Sequence, residues 1–153
     1  MSRWLAPGVA ILAAAWLLLI VAAPALWVPV AGIVYAVGSL ICHQIAERSF
    51  HLDGAQLPVC ARCFGIYGGA AFGGVAGASA VARRLMAAGR QVVGRSRRWM
   101  WTALAAVPTL VTGVLEWGLG WPMSNVIRAV AALPIGFAVA FVVVSAMATL
   151  HYE

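Results

Sequence analysis

Long uncharged stretches of apolar residues, separated by short polar segments, make up most of this chain. A helix needs roughly 20 apolar residues to cross a hydrocarbon core about 30 Å thick. The pattern therefore predicts an all-α fold, a polytopic membrane helical bundle that forms a single integral membrane domain over residues 1–153. Its four predicted spans are residues 7–28, 63–82, 99–121 and 124–150.

Residues 30–47 begin apolar and end polar, and they predict one further helical segment. Pro24 and Pro29 separate it from the first span, because proline lacks a backbone donor and strains a helix interior. As a helix the segment would be about 25 Å long. We predict a partial helix that is re-entrant or interfacial, with a fifth full span as the alternative.

The first residues also resemble a signal peptide, with Arg3 before an apolar run and a small-residue cleavage pattern at 23–25. The apolar run continues through Val28, which is further than such a peptide needs. Retention of the first span is therefore the favoured interpretation, and cleavage stays the alternative.

Glycine recurs at every fourth position of the span 63–82, at Gly65, Gly69, Gly73 and Gly77. Such a stripe lets a neighbouring helix approach closely. It predicts helix packing, with a substrate path along the groove as the alternative. The same stripe leaves a homo-oligomer open.

The composition excludes a separate soluble domain, since 64% of the residues are hydrophobic and only 9% are charged, against about half and about a quarter in ordinary soluble domains. The net charge of +6 comes from ten arginines and no lysine. Six of these arginines lie in the short segment 83–98. Because the positive charge is confined to that segment, it does not indicate nucleic-acid binding.

The arginine-rich loop 83–98 sets the orientation of the chain, because short positively charged loops stay in the cytoplasm. Anionic lipid headgroups are a secondary partner of this loop, beside the lipid bilayer itself. With the loop inside, the span 63–82 begins outside. We therefore predict a protein of the cytoplasmic (plasma) membrane whose cysteines lie on the extracytoplasmic side.

All three cysteines and one histidine form two short motifs, Cys42-His43 and Cys60-x-x-Cys63. Soft thiolates close together along the chain bind one metal from a turn, and an imidazole completes the tetrahedral set that zinc accepts. The motifs predict a metal site with Cys42, His43, Cys60 and Cys63 as ligands. Zinc is the predicted metal, with iron and copper as alternatives, and His51 is a spare candidate.

The same thiols admit two other interpretations. Cys60 and Cys63 are typical of a membrane thiol–disulfide oxidoreductase, in which Arg62 favours the thiolate and electrons pass to a membrane quinone. Alternatively, Cys42 forms a structural disulfide with Cys60 or Cys63, because disulfides persist outside the cytoplasm.

Six further side chains are predicted to support the site or bind a substrate. They are Gln44, Arg48, Arg62, Tyr67, Glu116 and Arg128. Charges within spans usually mark a partner or a site, so Glu116 and Arg128 either form a structural ion pair or belong to the site. On a continuous helix over 30–47, spacing of three and four would place Cys42 and His43 on one face with Tyr35 and Ser39.

Several motifs together resemble a family of small integral membrane proteins classed as a domain of unknown function. They are Cys42-His43-Gln44, Arg48-Ser49-Phe50, Gly54, Pro58-Val59-Cys60-Ala61-Arg62-Cys63 and Gly65-Ile66-Tyr67, with weaker similarity at Glu116, Asn125, Arg128 and Gly136. The chain departs from the family at Ala46, Phe64 and Glu116, where Pro, Thr and Asp are common. The resemblance implies a multi-span membrane protein and no specific activity.

The predicted function is therefore that of an integral membrane protein with an outward-facing Cys/His metal site. A thiol–disulfide oxidoreductase and a small transporter using Glu116 are the alternatives. Whether the protein is an enzyme stays open, because four protein ligands close a structural zinc site and three leave room for catalysis.

Overall fold

The structure, a computed structural model, describes residues 4–79 and 95–149. Within these ranges the chain forms five α-helices and one β-hairpin. They are α1 (Leu5–Ala22), α2 (Val28–Ile41), β1 (Ser49–Leu52), β2 (Ala55–Cys60), α3 (Ala61–Ala78), α4 (Arg95–Gly118) and α5 (Asn125–Thr149). The predicted loop 83–98 lies outside the described residues except where α4 begins.

Three helical segments in the described ranges are long and apolar enough to cross a membrane, namely Leu5–Ala25, Trp99–Gly118 and Asn125–Met147. The protein is thus a helical membrane protein, as the apolar pattern predicts. Helix α3 is not among the three, and it carries Arg62 and many glycines, which make it less apolar. It packs most extensively against α5 and next against α1.

The segment after the first span differs from the prediction. Helix α2 ends at Ile41, and Cys42 has an extended backbone with φ −144° and ψ 138°. Gln44 then adopts a positive φ of 49°, which ends any helical continuation. The expectation that Cys42 and His43 share a helix face with Tyr35 is therefore wrong. At 14 residues, α2 is about 21 Å long.

The polar segment between Phe50 and Pro58 forms a two-stranded antiparallel hairpin, β1–β2. Asp53 and Gly54 both have positive φ, 50° and 82°, as a two-residue turn that matches the strand twist requires. Ser49 lies opposite Cys60 in the register. The hairpin thus places Cys60 directly before Ala61, the first residue of α3.

One end of the bundle gathers around this hairpin. Ile20 from the last turns of α1 packs in one buried cluster with Cys42, Leu57 and Val59. The end of α1, the residue after α2 and the strand β2 therefore meet at the same place. We call this part of the molecule, the hairpin with the helix ends packed on it, the hairpin end.

Helices α3 and α5 meet along a seam with almost no side chain between them. A Cβ atom at Gly65, Gly69 or Gly73 would collide with the backbone of α5 at Ala129, Leu133 or Phe137, respectively. On the opposite helix, a Cβ at Gly136 would collide with the backbone of Ile66. The glycine stripe therefore packs a helix, as predicted. We call this contact the α3–α5 seam.

Candidate functional site

The three cysteines converge at the hairpin end. Cys42 follows α2, Cys60 ends β2, and Cys63 lies in the first turn of α3. Their Sγ atoms all lie within 4.8 Å of one another. Cys42 is buried and the other two are half-buried, and all three are free thiols.

Two backbone amides and one glutamine hold Cys42 in place. Its Sγ accepts hydrogen bonds from the Cys60 N–H at 3.1 Å and the Gln44 N–H at 3.5 Å. The Gln44 carboxamide donates to the carbonyls of Tyr35 at 2.8 Å and Pro58 at 2.7 Å. The side chain of Gln44 therefore ties the middle of α2 to β2, next to the thiols.

Close backbone approach supports the same junction. A Cβ at Gly38 would collide with the Pro58 carbonyl oxygen, which lets α2 rest directly on β2. The Gln56 side chain donates to the Gln44 carbonyl at 2.7 Å and to the Ser49 hydroxyl at 3.2 Å. Neither Gly38 nor Gln56 was among the predicted site residues, because nothing in their local sequence links them to the cysteines.

The cysteines also act on one another. A hydrogen bond from the Cys63 side chain lowers the pKa of the Cys60 thiol from 9.0 to about 5, although partial burial opposes this shift. Thiolates are the form that binds metals and attacks disulfides. The lowered pKa favours the thiolate form of Cys60.

Three arginines from different segments surround one glutamate beside the thiols. Glu116 of α4 accepts from Arg128 of α5 at 2.6 Å and 3.3 Å, and from Arg62 of α3 at 2.9 Å. Arg48, before β1, lies 3.4 Å from the same carboxylate. The predicted Glu116–Arg128 ion pair is present, and it is one part of a larger cluster. We call Glu116 with Arg48, Arg62 and Arg128 the arginine cluster.

A polar chain connects the arginine cluster to the hairpin. Arg128 donates to the Asn125 side-chain oxygen at 2.6 Å, and the Asn125 side-chain nitrogen donates to the Ser49 carbonyl at 2.9 Å. Asn125 begins α5, so these bonds hold the start of that helix against β1. Asn125 was among the weaker positions of the family resemblance.

A pocket of about 320 Å³ lies where the thiols and arginines meet. Its lining includes all three cysteines, Arg48, Arg62 and Arg128, and also His43. The predicted ligand His43 is exposed and lies outside the group of three sulfur atoms.

Tyr67 and His51 lie away from this pocket lining. Tyr67 packs its ring edge-on to Trp16 with the ring centres 6.2 Å apart, and it also packs against the buried cluster that contains Cys42. His51 is exposed on β1.

These residues fall within a region that matches a known family. The family model described as "Predicted membrane protein (DUF2085)" matches residues 42–142. The chain belongs to this family. The match begins at Cys42 and contains the three cysteines and the whole arginine cluster. The expected membership in a membrane protein family of unknown function is confirmed.

One curated relative is similar over a short stretch. It is an uncharacterized protein, MJ1492, of Methanocaldococcus jannaschii, 62% identical over 39 residues. That stretch covers 26% of this chain and 25% of the relative. No solved structure matches the chain.

Proposed function

We propose that this chain is an integral membrane protein that binds zinc through the thiolates of Cys42, Cys60 and Cys63. The observation that carries the proposal is the convergence of their sulfur atoms within 4.8 Å. Tetrahedral ligands at a Zn–S distance of about 2.3 Å are separated by about 3.8 Å. Small shifts therefore suffice to bind the ion. Iron and copper also accept thiolates.

Three thiolates leave one coordination position for a further ligand. His43 lines the same pocket, and it is our proposed fourth ligand. A rotation of this exposed side chain would close the site as a structural Cys₃His centre. A water in that position would instead make the centre a Lewis acid facing the pocket.

The test is the metal content per chain, measured by mass spectrometry on full-length protein purified in detergent without chelator. We expect about one equivalent of zinc, lost in a variant with Ser at positions 42, 60 and 63. No bound metal in the wild-type chain would contradict the proposal. A different single metal at one equivalent would replace zinc and keep the site.

Cobalt substitution distinguishes the fourth ligand. Co(II) bound by thiolates absorbs in the visible and near ultraviolet, and its ligand-field bands respond to the replacement of nitrogen by oxygen. With His43 as a ligand, His43→Ala changes these bands, whereas His51→Ala does not. An unchanged spectrum in His43→Ala would remove His43 from the ligand set.

The proposed topology has four full spans, an interfacial α2 and the thiol site outside the plasma membrane. Supporting it, the end of α1 and the residue after α2 pack in the same cluster at the hairpin end. A helix between those points has no need to cross the bilayer. A membrane-impermeant thiol reagent is expected to label metal-depleted protein in intact cells. Labelling only after the cells are broken would reverse the orientation.

A second candidate function is thiol–disulfide exchange, which the lowered pKa of Cys60 favours. A Cys60–Cys63 disulfide would be reduced as an external dithiol is oxidised, with a transient mixed disulfide. A membrane quinone would then take the two electrons and two protons and become a quinol. Trapping that mixed disulfide in a Cys63→Ser or Cys60→Ser variant tests this function, and its failure in both would exclude it.

The transporter alternative has less support. Three guanidinium groups surround Glu116, whereas a carrier carboxylate has to release and rebind its ion. We do not propose transport.

A further inference from the structure

The pocket beside the thiols carries more positive than negative charge. Three guanidinium groups face one carboxylate in the arginine cluster, which leaves an excess of two positive charges. The Glu116 side chain is 5% exposed and the Arg128 side chain 10%. Charges withdrawn from water in a membrane protein need partners. The excess therefore points to an anion that completes the cluster.

The three arginines differ in how many of their donors are used. Arg128 donates through Nε, Nη1 and Nη2 to Glu116 and Asn125, so its role is to hold the helices. Within the described part of the chain, the Arg62 side chain donates one hydrogen bond, to Glu116. Its Nε is buried and has no hydrogen-bond partner among the described residues. A buried donor of this kind calls for a ligand or water.

Arg48 is the more accessible member of the cluster. Its side chain is 36% exposed, and its guanidinium lies over the Trp117 ring at 5.8 Å. Arg48 and Arg62 both line the pocket. Arg48 and Arg62 therefore supply the N–H donors that can bind a ligand, whereas Arg128 and Glu116 are held by their bonds to each other.

The rest of the pocket lining is apolar. It includes Ile41, Ile45, Ile66 and Trp117, each partly exposed on the surface. Trp117 lies at the end of α4, and tryptophan at the ends of membrane helices is typical of the headgroup level. The pocket thus combines guanidinium donors with an apolar rim at the end of the bundle.

We propose that this pocket binds the phosphate group of an anionic membrane lipid, with Arg62 and Arg48 as its donors. The planar guanidinium fork matches phosphate oxygens, and the apolar rim accepts the adjoining part of the lipid. The site does not require the proposed metal.

The test uses the full chain in detergent and native mass spectrometry with added phosphatidylglycerol. We expect phosphatidylglycerol to bind and zwitterionic phosphatidylcholine to bind at least tenfold more weakly. Losing a hydrogen bond to a charged group costs roughly tenfold in affinity, so Arg62→Gln and Arg48→Gln should each weaken phosphatidylglycerol binding by about that factor. Arg62→Lys retains the charge but not the fork. Arg3→Gln, which removes one positive charge elsewhere, is the matched control.

Equal phosphatidylglycerol binding in wild type, Arg62→Gln and Arg48→Gln would overturn the proposal. Arginine-dependent binding of inorganic phosphate to the lipid-free chain, without arginine-dependent binding of phosphatidylglycerol, would overturn it too, because the occupant would then be a soluble phosphate. Arg48 is the more exposed residue, so Arg48→Gln keeps the test decisive where Arg62→Gln fails to fold.

The variant with Ser at positions 42, 60 and 63 separates this proposal from the metal site. We expect it to lose the metal and still bind phosphatidylglycerol. Arginine-dependent lipid binding without any metal in wild type would contradict the zinc proposal alone. Metal binding in the wild type, together with lipid binding that neither Arg62→Gln nor Arg48→Gln changes, would contradict the lipid site alone.

Discussion

Along the α3–α5 seam, two helix backbones are in direct contact. At the hairpin end, polar side chains form hydrogen bonds between different segments of the chain. At the seam, glycines such as Gly69 leave no room for a Cβ against Leu133. At the hairpin end, Glu116 and Gln44 each connect separate segments through directed bonds. The α3–α5 seam depends on the absence of Cβ atoms at its glycines, whereas the hairpin end depends on side chains that form hydrogen bonds. Larger side chains at the glycines should therefore disrupt the seam, and loss of the bonding side chains should disrupt the hairpin end.

The largest effect is expected from overfilling the seam. Combining Gly65→Val with Gly69→Val forces α3 away from α5, at a cost of about 3 kcal/mol or more for each change. Since total stabilities are about 5–15 kcal/mol, little or no folded protein should remain by thermal unfolding and size-exclusion chromatography. Gly8→Val with Gly32→Val is the control, because a Cβ there meets nothing within 4 Å. A folded seam variant with unchanged stability would contradict the packing.

Removing the carboxylate at the centre of the arginine cluster should have the next largest effect. Glu116→Gln leaves three arginines without their counter-charge, and breaking a buried ion pair costs about 3 kcal/mol or more. The free energy of unfolding should fall accordingly. Glu47→Gln, at an exposed carboxylate, should be neutral. Equal effects of the two variants would show that Glu116 does not stabilise the hairpin end.

Metal removal should separate the two regions. A metal present at a hundred times its Kd stabilises by about 2.7 kcal/mol. Chelation should therefore speed amide exchange in the hairpin Ser49–Cys60 and leave the seam of α3 protected. The variant with Ser at 42, 60 and 63 should not respond to the chelator. Uniform loss of protection in both regions would contradict a local role of the metal.

The smallest effect is expected from shortening Gln44. Gln44→Asn keeps a residue that tolerates positive φ but no longer reaches the carbonyls of Tyr35 and Pro58. Residues that orient metal ligands affect metal affinity by at least about tenfold, so a tenfold loss is expected in a competition titration. Ser39→Ala removes a bond within α2 itself and should leave the affinity unchanged. Equal affinities of the two variants would deny Gln44 its positioning role.

Much of the seam could be predicted from the sequence, because a glycine at every fourth position is a periodic and local signal. The meeting of Glu116 with Arg128 was also predictable, since both lie near facing ends of consecutive helices. The contributions of Arg62 and Arg48 to that carboxylate were not. They come from segments distant along the chain, and no periodicity relates them to Glu116.

The hairpin end shows where a local pattern fails. Residues 30–47 favour a continuous helix, yet the chain leaves the helix after Ile41. The bonds that Cys42 and Gln44 make to Cys60 and Pro58 replace those that a longer helix would provide. Cys60 lies 18 residues after Cys42, and Pro58 lies 14 residues after Gln44, which is beyond the reach of helical periodicity. Zinc, the ligand His43 and the extracytoplasmic side stay predictions.

The sequence alone determined that this is a helical membrane protein with a glycine-lined helix and one group of thiols. The length of apolar stretches, the spacing of glycines and the scarcity of charges are properties of short segments. Each of them directly predicts burial in the membrane or close helix packing. Only the tertiary structure decided that the thiols meet without His43 and that three arginines share Glu116. Those contacts depend on how α2, the hairpin, α3 and α5 are oriented relative to one another. Hydrogen bonds between residues far apart in the sequence, such as Gln44–Pro58 and Asn125–Ser49, hold these segments together.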